Sequence, residues 1–382
     1  MLDAAAPPSP GATARDAPVW AVIDLDAISA NWAAVRAAAP TAQVLAVVKA
    51  NAYGHGLTPV AQHLARLGVA GFGVARSQEG LALRAAGIRA PVLVLGGVEA
   101  GMQEAAAAQL TPVVHRLGQL RPWAEACAGR PFCVHLKLDT GMARLGLSPA
   151  QLPAFVAELA SVPQARVSGV MSHLADAAGD AAFTVVQRER FEAGLAQLRQ
   201  HGIAGGIRHL ANSAGLWHSP DLHYDWVRPG IALYGYAPGV AHPPKLRPAM
   251  SLYSKVVALR TLERGESVGY GRQHRCQRPT RVATLGVGYG DGWLWSATGP
   301  RHVSIRGQRC PLLGQVCMDL CSADVSHLPA VEVGDPVLCW GHDGADLLSV
   351  EVTAAAAHSS VWAQLTALSA RVPRRYLGGV PK

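Results

Sequence analysis

From Val19 onward the chain alternates short, continuously apolar runs with longer segments in which apolar residues recur every three or four positions. The apolar runs are VWAVIDL, QVLAVVK, AGFGVA, PVLVLG, TPVVH, PFCVHLKLD, RVSGVMSH, IRHLANS and DWVRPGIALYG. Between them lie segments rich in Ala, Leu and Arg, among them LTPVAQHLARLG, SQEGLALRAAG, VEAGMQEAAAAQL, SPAQLPAFVAELA and FTVVQRERFEAGLAQLRQHG. A strand that is apolar on both faces must be buried on both, as in a parallel sheet covered by helices. About eight such units over roughly 230 residues predict an α/β fold, a closed (β/α)8 barrel of the TIM type in preference to an open doubly wound sheet.

After PPKLRPAM the pattern changes. From Ser251 the strand-like stretches LYSKVVALRTL, RVATLGVGYG, RHVSIRG, SADVSHL and DPVLCWG are separated by Gly, Pro and charged turns, with one late helical segment over 353–369. This predicts a mostly β C-terminal domain and a boundary within Pro243–Pro248. The expected division is 1–17 as a disordered leader, 18–245 as the barrel and 246–382 as the β domain. The leader, MLDAAAPPSPGATARDAP, has no basic stretch followed by an apolar one, and no run of about 18 uncharged apolar residues occurs, so no membrane association is expected.

A chain of 382 residues exceeds what one core usually supports, in keeping with two domains. The formal charge of +8 and pI near 9.3 raise the question of a nucleic-acid partner. The basic residues are scattered, however, so the charge favours small anionic ligands. Seven cysteines, without paired C-x-x-C motifs, read as reduced thiols of a cytoplasmic enzyme. Cys317, Cys321 and His327 make at most an incomplete half-site, so no metal is expected.

In a βα barrel, chemistry gathers where the strands end, so the residues just after each apolar run carry the functional reading. Lys49 closes QVLAVVK; Lys137, Asp139 and Arg144 follow FCVHL; His173 ends VSGVMSH; His209, Asn212 and Ser213 end IRHLANS; Arg228 follows YDWV. Taken singly, a strand-terminal lysine is more often a solvated surface residue, a histidine a structural one and Ser213 a helix cap. Jointly they place an amine, imidazoles, guanidiniums and a hydroxyl on one face. Without a pair of strand-end carboxylates, glycoside hydrolysis is excluded, and without a G-x-S-x-G elbow so is a serine hydrolase. A positioned lysine among cationic and hydroxyl donors suits a Schiff base to a cofactor aldehyde whose phosphate must be gripped. The backbone N–H groups of Gly230 and Ile231, the Ser213 hydroxyl and the Tyr53 phenol are suited to that anion.

The motifs AVVKANAYGHG, KLDTGMARLG, HLANSAG, VRPGIALYG, VGYG, GYGDG, GQVCMD and RVPRRY, in this order from Val47 to Tyr376, resemble those of bacterial alanine racemases, pyridoxal-phosphate enzymes of the barrel type. The resemblance implies pyridoxal 5′-phosphate as cofactor, alanine as substrate, and a cytoplasmic homodimer with shared active sites. Lys49 would carry the cofactor and act as one base, with Tyr270 of the other subunit as the second on the opposite face. Arg228, supported by His209, would meet the pyridine nitrogen, and His173 would orient Tyr270. Tyr53, Ser213, Gly230 and Ile231 match the phosphate ligands. Arg144 and the backbone of Met318 match the substrate-carboxylate site, Lys137 a lysine that is carbamylated in some members and steadies the arginine, and Tyr289 an entrance tyrosine.

Related barrel decarboxylases carry a similar VKAN but an acid at the pyridine nitrogen, so Arg228 favours racemisation. A non-enzymatic pyridoxal-phosphate-binding protein of this type would lack the β domain. Departures from the family pattern are Ala370 in place of a tyrosine, Gly290 for an alanine, Ala143 for a glycine, and HSSVWAQ before the last helix.

Overall fold

The computed structural model describes residues 17–379 except 99, 242–244, 294–300 and 345. All of the expected leader but Ala17, and the prolines 243 and 244 of the expected boundary, lie outside them. The chain divides into a unit of residues 26–247 and a unit formed by the N-terminal segment through Leu25 with Pro248–Gly378.

The strand β1 (Val19–Asp24) belongs to the second unit. In the first, β2 (Gln43–Val47), β3 (Gly71–Val74), β4 (Val92–Val94), β5 (Thr111–Val114), β6 (Phe132–Lys137), β7 (Ala165–Met171), β8 (Ile207–His209) and β9 (Trp226–Val227) form one parallel sheet. Its order is β8-β7-β6-β5-β4-β3-β2-β9, with β9 lying beside the first strand of the series rather than the last. The remaining seam, β8 to β9, is bridged by the Asp225 N–H donating to the Arg208 carbonyl (3.0 Å) and by the Arg208–Asp225 ion pair (2.9 Å). The sheet is therefore a nearly closed barrel. Leu45, Leu93 and Trp226 fill part of its interior, with Ala70, Leu95 and Ile207 against them. The short strands are buried along nearly their whole length, as their uninterrupted apolar character requires.

The second unit contains β10 (Met250–Leu262), β11 (Ser267–Val268), β12 (His274–Arg275), β13 (Thr280–Leu285), β14 (His302–Ile305), β15 (Gln308–Leu313), β16 (Cys321–Asp324), β17 (Pro336–Asp343), β18 (Asp346–Leu348) and β19 (Arg374–Leu377). Antiparallel pairing runs β10-β13-β16-β15-β14-β17 and returns from β17 to β10, a six-stranded ring that leaves those strands without exposed edges.

Two expectations are corrected. VWAVIDL was expected to be the first barrel strand; instead β1 pairs antiparallel with β10 and parallel with β19. Trp20 decides its place: it stands opposite Tyr253, stacked at 5.6 Å, with the Arg375 guanidinium 4.5 Å over its ring. The late helix over 353–369 is two short helices, Val350–Ala356 and Val361–Thr366. His358 between them is left-handed (φ 49°), and Ser360 caps the second by accepting from the Ala363 N–H at 3.2 Å. None of the seven cysteines is paired. Among the described residues no helix is long and apolar enough to cross a membrane.

Candidate active site

Lys49 stands two residues beyond β2 and opens a turn of unusual backbone. Ala50, Asn51, Ala52 and Tyr53 all have φ between 52° and 55°. Each left-handed non-glycine residue costs about 1–2 kcal/mol, so the turn persists because its surroundings over-determine it. The Asn51 carboxamide oxygen accepts from the Leu57 N–H (2.8 Å). The buried His55 donates from Nδ1 to the carbonyls of Ala52 (3.0 Å) and Tyr53 (2.9 Å). Glu79, which the sequence reading passed over, accepts from the Ala50 N–H at 2.6 Å. The turn thus brings Tyr53 back against Tyr234, ring centroids 4.9 Å apart, beside Gly230.

Arg228, one residue past β9, is 3 % exposed and donates to the carbonyls of Ser172 (2.7 Å) and Leu210 (3.0 Å). Guanidinium can only donate, which fixes the protons of its neighbours. His209 faces it through Nδ1 at 3.2 Å, so that nitrogen accepts and Nε2 carries the hydrogen. The Nε2–H in turn donates to Nδ1 of His135 at 2.7 Å. His173 likewise faces Arg228 through Nδ1, at 3.4 Å, which leaves its Nε2–H as an outward donor. Burial, reinforced by the Arg228 charge, holds His173 and His209 well below the usual imidazole range and His135 down at about 4, so all three are neutral at pH 7.

His135 is the second residue the sequence reading missed. Its signal was an isolated glycine in a neighbouring strand: a Cβ at Gly169 of β7 would overlap the His135 ring, and pairing of β6 with β7 shifts register at Val134/His135. Behind it, Trp226 packs 5.9 Å from His135 and 6.0 Å from His209.

A cluster of hydrogen-bond donors lies at the ends of β8 and β9. The N-cap of helix Ser213–His218 is Asn212, which accepts from the Gly215 N–H (2.9 Å), so Ser213 is not the cap. The Ser213 hydroxyl accepts from the N–H groups of Gly230 (2.9 Å) and Ala232 (3.3 Å), leaving its own hydrogen to donate outward. Ile231 opens a 3-10 turn, so its N–H has no acceptor within the turn. Burial pushes the Tyr53 phenol up to about 12 and keeps its proton in place. Three donors therefore converge where a Cβ on Gly230 would meet the Tyr53 ring.

Lys137, the last residue of β6, is buried, and burial followed by Arg228 and Arg144 lowers its amine to about 8. Lys49 is lowered by burial and then by Arg144, with Glu79 opposing. Arg144 itself is exposed, on a loop that Asp139 holds by accepting from the N–H groups of Gly141 (2.9 Å) and Ala143 (3.1 Å). Ala143, where the family pattern has glycine, is left-handed (φ 53°). The barrel mouth thus gathers Lys49, Lys137, Arg144 and Arg228, an array suited to a phosphate and a carboxylate together. These residues fit a phosphorylated carbonyl cofactor on the chemistry of their donors alone.

The other expected residues lie in the β unit. Tyr270 (72 % exposed), Tyr289 (42 %) and Met318 (52 %) stand out as large apolar side chains left in solvent, with Leu320 (43 %) beside them. The Tyr289 and Met318 loops are cross-tied: the Tyr289 N–H donates to the Cys317 carbonyl (3.0 Å) and the Gly290 N–H to the Met318 carbonyl (2.8 Å). The buried carboxylate of Asp291 accepts from the Gly288 N–H (2.9 Å) and from Arg371 Nε (2.8 Å), and Arg371 reaches on to Asp319 (2.8 Å).

Two family profiles match, "Alanine racemase, N-terminal domain" over residues 23–238 and "Alanine racemase, C-terminal domain" over 249–376. The chain belongs to the alanine racemase family. The alanine racemase of Symbiobacterium thermophilum is 42 % identical over 368 residues, 94 % of this chain and 97 % of that one. The crystal structure of alanine racemase from D-cycloserine-producing Streptomyces lavendulae superposes with a TM-score of 0.90 at 34 % identity, covering 95 % of this chain and 98 % of the other. The Bartonella henselae alanine racemase, whose structure has covalently bound pyridoxal phosphate, gives a TM-score of 0.86 at 29 % identity over 94 % and 100 % of the two chains. As a member of the alanine racemase family the chain is a racemase, an isomerase by class.

Proposed function

We propose that the chain interconverts L-alanine and D-alanine with pyridoxal 5′-phosphate, as a homodimer in which the exposed β-unit loop of one subunit completes the barrel site of the other. The observation that carries this reading is Arg228, a buried donor-only group backed on both sides by neutral imidazoles. A decarboxylase of the same fold places an acid there to protonate the pyridine nitrogen, whereas a guanidinium leaves that nitrogen unprotonated. A pyridine nitrogen met by a donor-only group would withdraw electrons less strongly, which would favour return of the proton over transamination.

When bound, pyridoxal phosphate supplies an aldehyde that conjugates the amino acid and acidifies its Cα proton. The Ser213 hydroxyl, the Tyr53 phenol and the Ile231 N–H would hold the phosphate; the Gly230 N–H, expected from the resemblance to join them, is taken up by the Ser213 hydroxyl. Arg144 and the Met318 backbone of the partner would bind the substrate carboxylate, and Lys137, if carbamylated, would carry the negative charge that steadies the arginine. Racemisation takes a proton from one face of Cα and returns one to the other, so two bases are required. Lys49 Nζ, with its proton affinity lowered by burial and Arg144, exchanges a proton on one face. Tyr270 Oη exchanges one on the opposite face, and the outward Nε2–H of His173 donates to that oxygen when it is deprotonated. The exposure of Tyr270, Tyr289, Met318 and Leu320 supports a surface that another subunit covers.

The test incubates the holoprotein with L-alanine, L-lysine or L-ornithine and follows both the D-isomer and CO2. D-alanine without CO2 is expected; CO2 from the basic amino acids would make the chain a decarboxylase instead.

A further inference from the structure

The left-handed turn Ala50–Tyr53 begins one residue after the amine, and its first N–H cannot be bonded within the turn. Glu79 supplies the acceptor from 29 positions away, Oε1 to the Ala50 N–H at 2.6 Å. Its other oxygen accepts from the N–H groups of Ala75 (2.8 Å) and Arg76 (3.1 Å), where β3 ends and helix Ser77–Ala85 begins. A helix-capping glutamate needs only the second set. The first joins the strained, lysine-bearing turn to the exit of the neighbouring barrel strand.

We propose that Glu79 is a positioning residue for Lys49: its carboxylate clamps the turn at Ala50 and its negative charge favours the protonated Lys49 nitrogen. The charged groups acting around that nitrogen are Arg144, Lys137 and Glu79, with neutral His173 beside them. Burial and Arg144 drive the Lys49 proton off, and Glu79 opposes them. Fixing both the place and the proton occupancy of one nitrogen is what a base that must alternately take and return a proton requires.

This rests on the reading of Lys49 as the cofactor-bearing amine, which borohydride reduction of the holoenzyme and peptide mapping test separately. A tag on any residue but Lys49 sinks that reading whatever Glu79 does. With Lys49 tagged, wild type, E79Q and E79D are compared by pH titration of the holoenzyme's cofactor absorbance, which reports the proton on the Lys49 nitrogen. E79Q moves the midpoint down by about one pH unit. It also lowers kcat about tenfold or more, with little change in the KM for alanine. E79D keeps the charge and the midpoint but cannot span both sets of N–H groups, so its kcat falls. An unmoved E79Q midpoint, even with a lower melting temperature, would assign Glu79 to helix capping alone and overturn the proposal. So would equal midpoint shifts in both variants. Should E79Q fail to fold, E79D decides: wild-type kcat there refutes the clamp.

Discussion

Gly230→Ala probes the proposed phosphate site with a single methyl group. Gly230 has φ −116°, outside the left-handed region, so the substitution is judged on the space an added Cβ would need. The added Cβ would overlap the Tyr53 hydroxyl and lie 3.0 Å from Cζ and 3.5 Å from Cε2. Restoring ordinary separations of about 3.5–4.0 Å requires the phenol to back away by about 1 Å. Tyr234 blocks that retreat at 4.9 Å, being fully buried with its own hydroxyl bound to the Val47 carbonyl at 3.1 Å. The turn bearing Lys49 must therefore give as well. Such overpacking costs about 1–3 kcal/mol of stability. Loss of one hydrogen bond to a charged phosphate costs about 1.5–3 kcal/mol, or about 10–150-fold in cofactor affinity. Equilibrium titration of the cofactor-free protein with pyridoxal 5′-phosphate, followed by absorbance, measures the affinity, and thermal melting the stability. Wild-type affinity in a folded Gly230→Ala variant would show that Tyr53 does not bind the phosphate.

Further outcomes follow from other parts of the site. His135 is depressed to about 4, and His173 and His209 are also held below their unfolded values, so protonation favours the unfolded chain. Their contribution is present above about pH 6.5 and is lost as pH falls toward 4, His135 alone accounting for about 3 kcal/mol. Urea unfolding at pH 7 and pH 4.5 measures this, and a stability independent of pH over that range contradicts the neutral imidazole chain. Ala143→Gly removes left-handed strain worth about 1–2 kcal/mol against an unfolded-state entropy cost of about 0.4–1 kcal/mol, so the melting temperature rises slightly. A fall would mean the loop tolerates alanine without strain. Gly290→Ala places a methyl 2.6 Å from Arg371 Nη2 and 3.0 Å from the Met318 carbonyl, displacing the Met318 loop. Steady-state kinetics should then show a KM for alanine raised several-fold with cofactor affinity unchanged, and an unaltered KM would remove Met318 from the substrate site.

The barrel was legible because continuous apolar runs such as QVLAVV and PVLVL have one physical solution, burial on both faces. VWAVID looks the same locally, and its place in the other sheet depends on Trp20 meeting Tyr253 more than 200 positions away, which no local pattern encodes. Lys49, His209 and Arg228 were legible as polar residues closing apolar strands. His135 was hidden inside a strand, and only the room left by Gly169 betrays it. Glu79 escaped because it sits in the first turn of a helix, where acids are commonplace, and its second bond reaches a different βα unit. The left-handed run over Ala50–Tyr53 was unreadable because no glycine advertises it until Gly54.

The proposed mechanism turns on proton exchange at Cα by Lys49 and Tyr270 on opposite faces. The decisive experiment incubates L-alanine with the holoprotein in D2O and separates the enantiomers for mass analysis, alongside Lys49→Ala and Tyr270→Phe. Equal amounts of L- and D-alanine are expected at equilibrium, with deuterium at Cα of the D-isomer. Both variants should lose turnover, with the bound-cofactor absorbance kept only in Tyr270→Phe. Undiminished formation of D-alanine by either variant would contradict that mechanism.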